Sequence, residues 1–238
     1  NDTRLNGRIY VTRASGVHDD VLSDYVICAV LVSNLKFRQF FFQQQQRTWQ
    51  PCELTPSRGQ KMVVLGLGSI GQAIASKAKS LGLDVIGVRR TLRNSVSSNF
   101  GIRDDFEELR VVGVEQLIEV LRDADFLVIA LPKTPATLGI VSSEVLSSMK
   151  PESVVVNISR GGIVDERALV ESLERRKLAG AVLDVFETEP LSPNSVFWEL
   201  PNVIVTPHTG DTVGWREKVA SLFCANIRRF SKGEMLEN

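Results

Sequence analysis

Three ionisable side chains each follow a short apolar run, and together they could carry proton-transfer chemistry. The chain contains only two histidines, His18 and His208, so few groups can exchange a proton near neutral pH. His208, Arg160 and Glu189 each come directly after or shortly after a different apolar run. If these apolar runs are parallel strands, the three groups follow their carboxyl ends, where ligands bind in such sheets. We therefore expect the groups to converge at one sheet edge. Imidazole can donate or accept a proton, and the guanidinium fork suits a carboxylate.

Each of these residues also has a structural interpretation. Arg160 could be an ordinary surface arginine, although the two glycines after it free the backbone for close approach of a ligand. Glu189 could be an ordinary acid on the approach to a helix, because Glu187, two residues away, is equally acidic. His208 could simply pack against its neighbours, whereas His18 is expected to be structural or to lie near a cleft. The arrangement of all three groups favours the chemical interpretation.

A glycine-rich segment at residues 66–71 reads G-L-G-S-I-G and predicts a phosphate-binding turn. An apolar run precedes it, a helical stretch follows, and the next apolar run begins about 20 residues later, as the motif requires. The glycines permit a tight turn and close backbone approach, and the helix N-terminus supplies free N–H groups to a pyrophosphate. A purely structural glycine turn is the alternative. We expect the cofactor to contact Gly66, Gly68, Ser69, Ile70 and Gly71.

The end of the next apolar run predicts which dinucleotide binds. An NAD site usually carries Asp or Glu there, to accept from the ribose 2′-hydroxyl. This chain has Arg89, Arg90 and Thr91 at that place, and Asp84 lies at the wrong end of the run. Because guanidinium groups pair bidentately with phosphate, the pattern favours NADP(H) over NAD(H). If the arginines form only a solvated charge run, the preference is undefined.

From residue 61 onward, short aliphatic runs alternate with helical stretches, which indicates a parallel sheet with helices on both faces. The runs are apolar throughout, as expected for strands covered on both sides. We predict a Rossmann-like, doubly wound α/β fold. The predicted strands are Met62–Leu65, Asp84–Val88, Phe126–Ala130, Ser153–Ile158, Ala181–Val185 and Val203–Val205. The predicted helices are Ile70–Ser80, Val114–Leu121, Glu144–Ser148 and Glu166–Arg175, with Asp165 capping the last.

A different segment precedes this alternation. Residues 19–47 are predicted to form one long helix that is apolar around most of its circumference. Such a helix must be buried on several sides, either in the core or in a subunit contact. Phe40–Phe42, followed by four glutamines, is too apolar for free solvent and favours a homodimer contact.

The overall composition argues against several classes of partner. The 238 residues carry 28 Lys and Arg against 28 Asp and Glu, so no net charge attracts nucleic acid or an anionic membrane. No uninterrupted apolar run reaches about 18 residues. The odd set of Cys28, Cys52 and Cys224 shows no paired spacing, which favours a reducing compartment over disulfides or a cysteine metal site. We expect a cytoplasmic protein without a metal centre.

Five segments of the chain form a specific set in their order and spacing. They are GLGSIG (66–71), ALPKTPATLGIV (Ala130–Val141), NISRGGIVDERAL (Asn157–Leu169), GAVLDVFETEPL (Gly180–Leu191) and NVIVTPH (Asn202–His208). With these segments the chain resembles the D-isomer-specific 2-hydroxyacid dehydrogenase family, which contains glyoxylate/hydroxypyruvate reductases and phosphoglycerate dehydrogenases. The resemblance covers most of residues 9–230.

The resemblance implies an oxidoreductase that moves hydride between NAD(P) and a small 2-oxo or 2-hydroxy acid. By position, it implies that His208 donates and accepts the proton, that Glu189 is its carboxylate partner, and that Arg160 anchors the substrate. This agrees with the chemistry, because a carbonyl that receives hydride develops negative charge on its oxygen. Further cofactor contacts are implied at Leu131, Pro132, Thr134, Ser159, Asp184 and His208.

The chain departs from the family pattern in its N-terminal part. The family has a second, substrate-binding domain, which we expect to be largely absent here, with residues 1–12 its remnant and residues 13–238 the dinucleotide-binding domain. Two functions therefore stay open. One is an NADPH-dependent reductase of glyoxylate, hydroxypyruvate or a similar 2-oxo acid. The other is a catalytically weak or inactive dinucleotide-binding dimer that acts as a sensor or scaffold.

Overall fold

The architecture is a seven-stranded parallel sheet with helices on both faces. The computed structural model describes residues 10–90, 109–210 and 213–237. Across the sheet the strands follow the order β3-β2-β1-β4-β5-β6-β7, and every neighbouring pair is parallel. The strands are β1 (Lys61–Leu65), β2 (Asp84–Arg89), β3 (Arg110–Gly113), β4 (Phe126–Ile129), β5 (Val154–Asn157), β6 (Gly180–Leu183) and β7 (Val203–Val205). The predicted doubly wound fold is confirmed.

The helices precede the sheet, connect its strands and follow it. Two short 3₁₀ turns, Val114–Gln116 and Val196–Trp198, accompany them. Among the described helices, no single one combines the length and hydropathy needed to cross a membrane. The α-helices are α1 (Asp19–Asn34), α2 (Phe37–Gln45), α3 (Ser69–Ser80), α4 (Leu117–Leu121), α5 (Ser143–Ser147), α6 (Glu166–Glu174) and α7 (Trp215–Ser231). Asp165 caps α6 as predicted, since its side chain accepts from the N–H of Ala168 at 2.9 Å.

Two apolar cores lie on opposite faces of the sheet. Successive side chains of a strand point to opposite faces, so Met62 and Val64 pack with α1 and α3, whereas Val63 and Leu65 pack with α4, α5 and α6. All four side chains are at most 1% exposed. This explains why β1 is apolar from Met62 to Leu65 instead of alternating. With all strands parallel, their carboxyl ends meet at one side of the molecule, here called the carboxyl edge.

The single helix predicted over residues 19–47 is wrong, because the structure divides this segment into α1 and α2. The two helices are bent by 63° relative to each other. Lys36 stands between them in the left-handed region, with φ of 54°. Beyond the bend, the side chain of Arg38 donates to backbone carbonyls at the amino end of β7. α1 therefore covers the sheet, whereas α2 has no fully buried residue.

Other differences from the predicted elements are smaller. Strand β3 and helix α7 were not predicted. The helix predicted at Val114–Leu121 consists of a 3₁₀ turn followed by the short helix α4. The six predicted strands all exist, with ends displaced by two residues or fewer. The loops at the carboxyl edge therefore begin where the sequence predicts them.

Candidate active site

The glycine turn between β1 and α3 forms a close-packed corner with one open side. Gly66 has φ of 107°, and a Cβ added there would lie 2.7 Å from the carbonyl oxygen of Ala130. A Cβ added at Gly71 would lie 1.9 Å from the carbonyl oxygen of Gly66. In contrast, no described atom lies within 4 Å of a Cβ added at Gly68. Packing thus requires Gly66 and Gly71, while Gly68 leaves its side free for a ligand.

The first turn of α3 completes this corner. Gly68 is the N-cap residue, so no side chain at that position can satisfy the first N–H groups of the helix. Ser69 and Ile70 open the helix and are both half-buried. The hydroxyl of Ser15 contacts the hydroxyl of Ser69 at 3.2 Å, which connects the segment before α1 to the turn. A helix N-terminus with free N–H groups suits a pyrophosphate.

The arginines predicted to select the dinucleotide lie beside this corner. Arg89 ends β2 and is half-buried, and Arg90 follows it and is exposed. The N–H of Gly66 donates to the carbonyl of Val88 at 2.9 Å, which brings the glycine turn against the end of β2. Thr91 lies outside the described residues. Two arginines therefore follow Val88 at the carboxyl edge, where the backbone of β2 contacts the turn.

The loops after β4 and β5 are held together further along the same edge. The hydroxyl of Ser159, which is 5% exposed, donates to the carbonyl of Leu131 at 2.8 Å. Thr134 donates its N–H to the hydroxyl of Thr137 at 2.8 Å, and that hydroxyl donates to the carbonyl of Pro132 at 2.7 Å. These contacts give the loops a fixed shape where the cofactor contacts are predicted.

Arg160 lies in the loop after β5, next to the loop after β6. Its side chain is exposed, and Nη1 donates to the carbonyl of Ser159 at 2.6 Å. A Cβ added at Gly161 would lie 1.8 Å from the carbonyl oxygen of Phe186, so the two loops touch backbone to backbone. This contact requires glycine and brings the guanidinium close to the segment that carries Glu189.

His208 and Glu189 form a direct pair. Nδ1 of His208 lies 2.6 Å from Oε2 of Glu189, and Oε1 of Glu189 accepts the N–H of Phe186 at 2.9 Å. Partial burial would raise the pKa of Glu189. The hydrogen bonds from His208 and Phe186, together with the charge of Arg160, outweigh that effect and hold the pKa below its ordinary value. The pair leaves Nε2 of a half-exposed imidazole available to a substrate.

A buried carboxylate lies directly behind this pair. Asp184 is 1% exposed, and its Oδ1 accepts from the hydroxyl of Thr206 at 2.5 Å and from the N–H of Thr209 at 3.0 Å. The hydroxyl of Tyr25, in α1, lies 2.7 Å from that of Thr206. In the sequence, Tyr25 is simply one residue of the apolar segment predicted as a long helix. No local signal identifies it, because its partner is 181 positions away in the chain.

The remaining histidine, His18, lies at the N-terminus of α1. The ring centroid of His18 lies 6.2 Å from that of Trp215, and its Nδ1 is buried without a partner among the described residues. Burial raises the pKa of the adjacent Asp19, which also neighbours Ser69. The described site residues thus lie along the carboxyl edge, with the glycine turn and arginines toward β2 and the His208–Glu189 pair toward β7.

Comparison with known proteins agrees with this arrangement. The family model "D-isomer specific 2-hydroxyacid dehydrogenase, NAD binding domain" matches residues 27–210. A glyoxylate reductase of Pyrococcus furiosus is 33% identical over 237 residues, which cover 95% of this chain and 67% of the relative. A D-3-phosphoglycerate dehydrogenase of Methanocaldococcus jannaschii is 37% identical over 181 residues, covering 76% of this chain and 33% of the relative.

Solved structures give the same result at the level of the fold. A D-isomer specific 2-hydroxyacid dehydrogenase from Xanthobacter autotrophicus Py2, in complex with NADPH and MES, superposes with a TM-score of 0.84 at 31% identity. The match covers 97% of this chain and 91% of that one. An NADPH-dependent glyoxylate/hydroxypyruvate reductase from Sinorhizobium meliloti, in complex with NADP and sulfate, gives a TM-score of 0.82 at 30% identity, covering 96% and 69%.

Proposed function

The chain belongs to the D-isomer specific 2-hydroxyacid dehydrogenase family, and we propose that it reduces a small 2-oxo acid such as glyoxylate or hydroxypyruvate with NADPH. The observation that carries the proposal is the 2.6 Å contact between His208 and Glu189 beside Arg160. Family members are NAD(P)-dependent dehydrogenases or reductases of this substrate class. The glyoxylate reductase and the NADPH-dependent reductase among its relatives support the finer assignment.

The residues of the glycine turn fit a bound dinucleotide. The open side of Gly68 and the free first turn of α3 offer a concave surface of N–H donors to a pyrophosphate. Ser69 and Ile70 would contribute backbone donors, and Gly66 and Gly71 give the turn its shape. Leu131, Pro132, Thr134, Ser159 and Asp184 would line the path toward the nicotinamide. When bound, the reduced nicotinamide supplies the hydride.

Arg89 and Arg90 support NADPH as the preferred form. An adenosine 2′-phosphate adds an anion that a guanidinium can bind through two hydrogen bonds, whereas the 2′-hydroxyl of NADH offers no such partner. Two of the solved relatives contain NADPH or NADP, which agrees with this choice. We include Thr91 in this proposed contact from its position in the sequence alone.

The chemistry of the three charged groups suits the reduction of a 2-oxo acid. Arg160 would bind the substrate carboxylate and hold the carbonyl beside His208. As hydride reaches the carbonyl carbon, the C=O π electrons move to oxygen, and His208 donates a proton to that oxygen to give the hydroxyl. Glu189 stays ionised and stabilises the imidazolium that must donate the proton. The product is the 2-hydroxy acid, and the reverse reaction uses His208 as the base.

We also propose that the protein is a homodimer, with α2 in the contact. Phe37, Phe41 and Phe42 are 44%, 58% and 62% exposed on the single chain. Three neighbouring phenylalanines exposed on one short helix form an apolar patch of the kind that protein contacts cover. α1 packs on its own sheet, so the free apolar surface of this segment belongs mainly to α2.

Steady-state oxidation of NADPH by glyoxylate and hydroxypyruvate tests the proposal. Wild-type protein should turn over both acids, whereas His208→Gln should lose at least about 100-fold in kcat, the lower end of the range for removal of a general acid. NADPH affinity, measured by fluorescence titration, should change less than about 3-fold in that variant, since His208 acts on the substrate oxygen. Absence of turnover in wild-type protein that binds NADPH would contradict the reductase and favour a dinucleotide-binding module.

A further inference from the structure

A chain of hydrogen bonds runs from helix α1 to the turn that carries His208. Tyr25, on α1, contacts the hydroxyl of Thr206 at 2.7 Å, and this hydroxyl donates to Oδ1 of Asp184 at 2.5 Å. The same oxygen accepts the N–H of Thr209 at 3.0 Å. Both ends of the four-residue turn 206–209 are therefore bound to one carboxylate oxygen. His208 lies between these two attachment points.

The direction of the chain follows from the number of protons available. A threonine hydroxyl has one hydrogen, and that of Thr206 is given to Asp184. Tyr25 must therefore be the donor in its contact with Thr206. Burial raises the pKa of Tyr25 to about 12, so the phenol keeps the hydrogen that it donates. Hydrogen bonds aligned in this way toward a buried carboxylate strengthen one another.

The turn needs such support because its backbone conformation is unfavourable. His208 has φ of 52°, in the left-handed region that residues other than glycine seldom adopt. Its N–H donates to the carbonyl of Thr206 at 3.1 Å, which closes the turn tightly. A strained conformation persists only where surrounding contacts determine it. The contacts to Asp184 hold the turn in this conformation, and Tyr25 bonds to the hydroxyl that makes the shortest of them.

We propose that Tyr25 and Thr206 are positioning residues for the reduction, because they hold the 206–209 turn so that the His208 ring meets Glu189 and the substrate oxygen. This inference rests on the proposed function for its catalytic meaning. Neither side chain needs to touch the substrate. A misplacement of the imidazole by about 1 Å is enough to slow proton transfer by up to about 100-fold.

Kinetic measurements on three variants test the positioning role. Thr206→Val keeps the shape but removes the donor, and it should lower kcat about 10-fold or more while KM for the 2-oxo acid changes less than about 3-fold. Thr206→Ser restores the hydroxyl and should recover most of kcat. Tyr25→Phe removes one oxygen and should give a smaller loss of kcat. Matched controls are Tyr10→Phe and Thr48→Val, whose hydroxyls lie away from the site on exposed residues, and both should behave as wild type.

A second measurement does not depend on turnover. The chain has only two histidines, so ring-proton NMR spectra contain two sets of signals, assigned with the His208→Gln variant. Thr206→Val and Tyr25→Phe should move the His208 signals and leave those of His18 in place. Unmoved His208 signals in both variants would overturn the positioning role, whatever the kinetics. Moved signals in a protein that reduces no 2-oxo acid would support the role of the turn and defeat the proposed function instead.

Discussion

Glu189 and Glu187 have the same side chain two positions apart, yet the structure gives them different surroundings. Both oxygens of Glu189 accept hydrogen bonds, one from His208 and one from the N–H of Phe186. Glu187 instead donates its backbone N–H to Oε1 of Glu166 at 2.5 Å, which fixes the loop but leaves its carboxylate exposed. Of these two acids, Glu189 is therefore the one that contacts His208, and backbone geometry rather than charge distinguishes them.

Glu189→Gln should change the pH dependence of stability. An acid whose pKa is lowered on folding contributes stability above its unfolded pKa, about 4.3, and loses it as the pH falls through the lower folded value. Wild-type protein should thus unfold at a higher temperature than Glu189→Gln near pH 6, and the difference should vanish toward pH 3. Since the side chain is partly exposed, solvent screening limits the effect to at most about 1 kcal/mol. Thermal unfolding across this pH range, with Glu187→Gln as control, measures it; equal behaviour of both variants would contradict the assignment.

Replacing Arg89 by Asp and Arg90 by Ser should reverse the cofactor preference. The double variant should weaken NADPH binding at least about 10-fold, because a bidentate guanidinium–phosphate contact is lost and a like charge is introduced. NADH binding should stay within about 3-fold of wild type, since the 2′-hydroxyl makes no contact with the lost charges. Arg110→Ser, at the amino end of β3, is the matched control, because it removes positive charge from the opposite edge. An equal loss for both cofactors in calorimetric titrations would show that the arginines do not bind the 2′-phosphate.

The residues of the candidate site could be predicted from the sequence because the strands that precede them could be predicted. Arg160, Glu189 and His208 follow apolar runs, and parallel pairing alone brings such positions to one edge. Tyr25 could not be found in this way. A tyrosine in an apolar helix has the pattern of a core residue, and only the packing of α1 on the sheet brings its hydroxyl to Thr206.

At the scale of elements, a side chain of α2, just after the bend from α1, is bonded to the amino end of β7. Arg38 donates through Nε to the carbonyl of Pro201 at 2.6 Å, through Nη2 to that of Leu200 at 3.0 Å, and through Nη1 to that of Val203. These carbonyls precede or begin β7. One side chain thus connects α2 to the amino end of the strand whose other end leads to His208.

Arg38→Met should uncouple α2 from β7 without disturbing the carboxyl edge. It removes three hydrogen bonds from a charged donor while keeping an apolar stem of similar length. We expect a loss of about 1–3 kcal/mol in the free energy of unfolding, the range for hydrogen bonds to charged groups. Arg175→Met is the control, because the exposed pair of Arg175 with Glu171 is worth about 0.5 kcal/mol or less. Equal urea midpoints for the two variants would show that Arg38 anchors nothing.

The elements that sequence patterns missed have weak local signals in the sequence. Residues 19–47 contain neither glycine nor proline, so nothing local marks the bend at Lys36, which Arg38 and the sheet stabilise from a distance. Strand β3 begins with an exposed arginine and ends in glycine, so only Val111 and Val112 form its apolar run. In contrast, the central strands are apolar along most of their length because both faces are covered, and they were located within two residues.

At the scale of the whole molecule, the exposed apolar surface of the described residues includes two patches on helices. One is the phenylalanine patch of α2, formed by Phe37, Phe41 and Phe42. The other lies on α7, where Phe223 and Phe230 are 61% and 57% exposed. α1 and α3 pack on one face of the sheet, whereas α2 has no fully buried residue. The two surfaces are distinct and can be altered independently.

The proposed homodimer should therefore respond to changes on α2 and not to those on α7. Phe41→Ser with Phe42→Ser removes two large apolar side chains, each worth about 1.5–3 kcal/mol when buried in a contact. In a symmetric dimer the loss counts twice, enough to shift micromolar protein to monomer in sedimentation velocity. Phe223→Ser with Phe230→Ser carries the same chemical change on equally exposed residues and should leave the dimer intact. If only the α7 pair dissociates the dimer, the contact lies on α7 and the proposed contact through α2 is wrong.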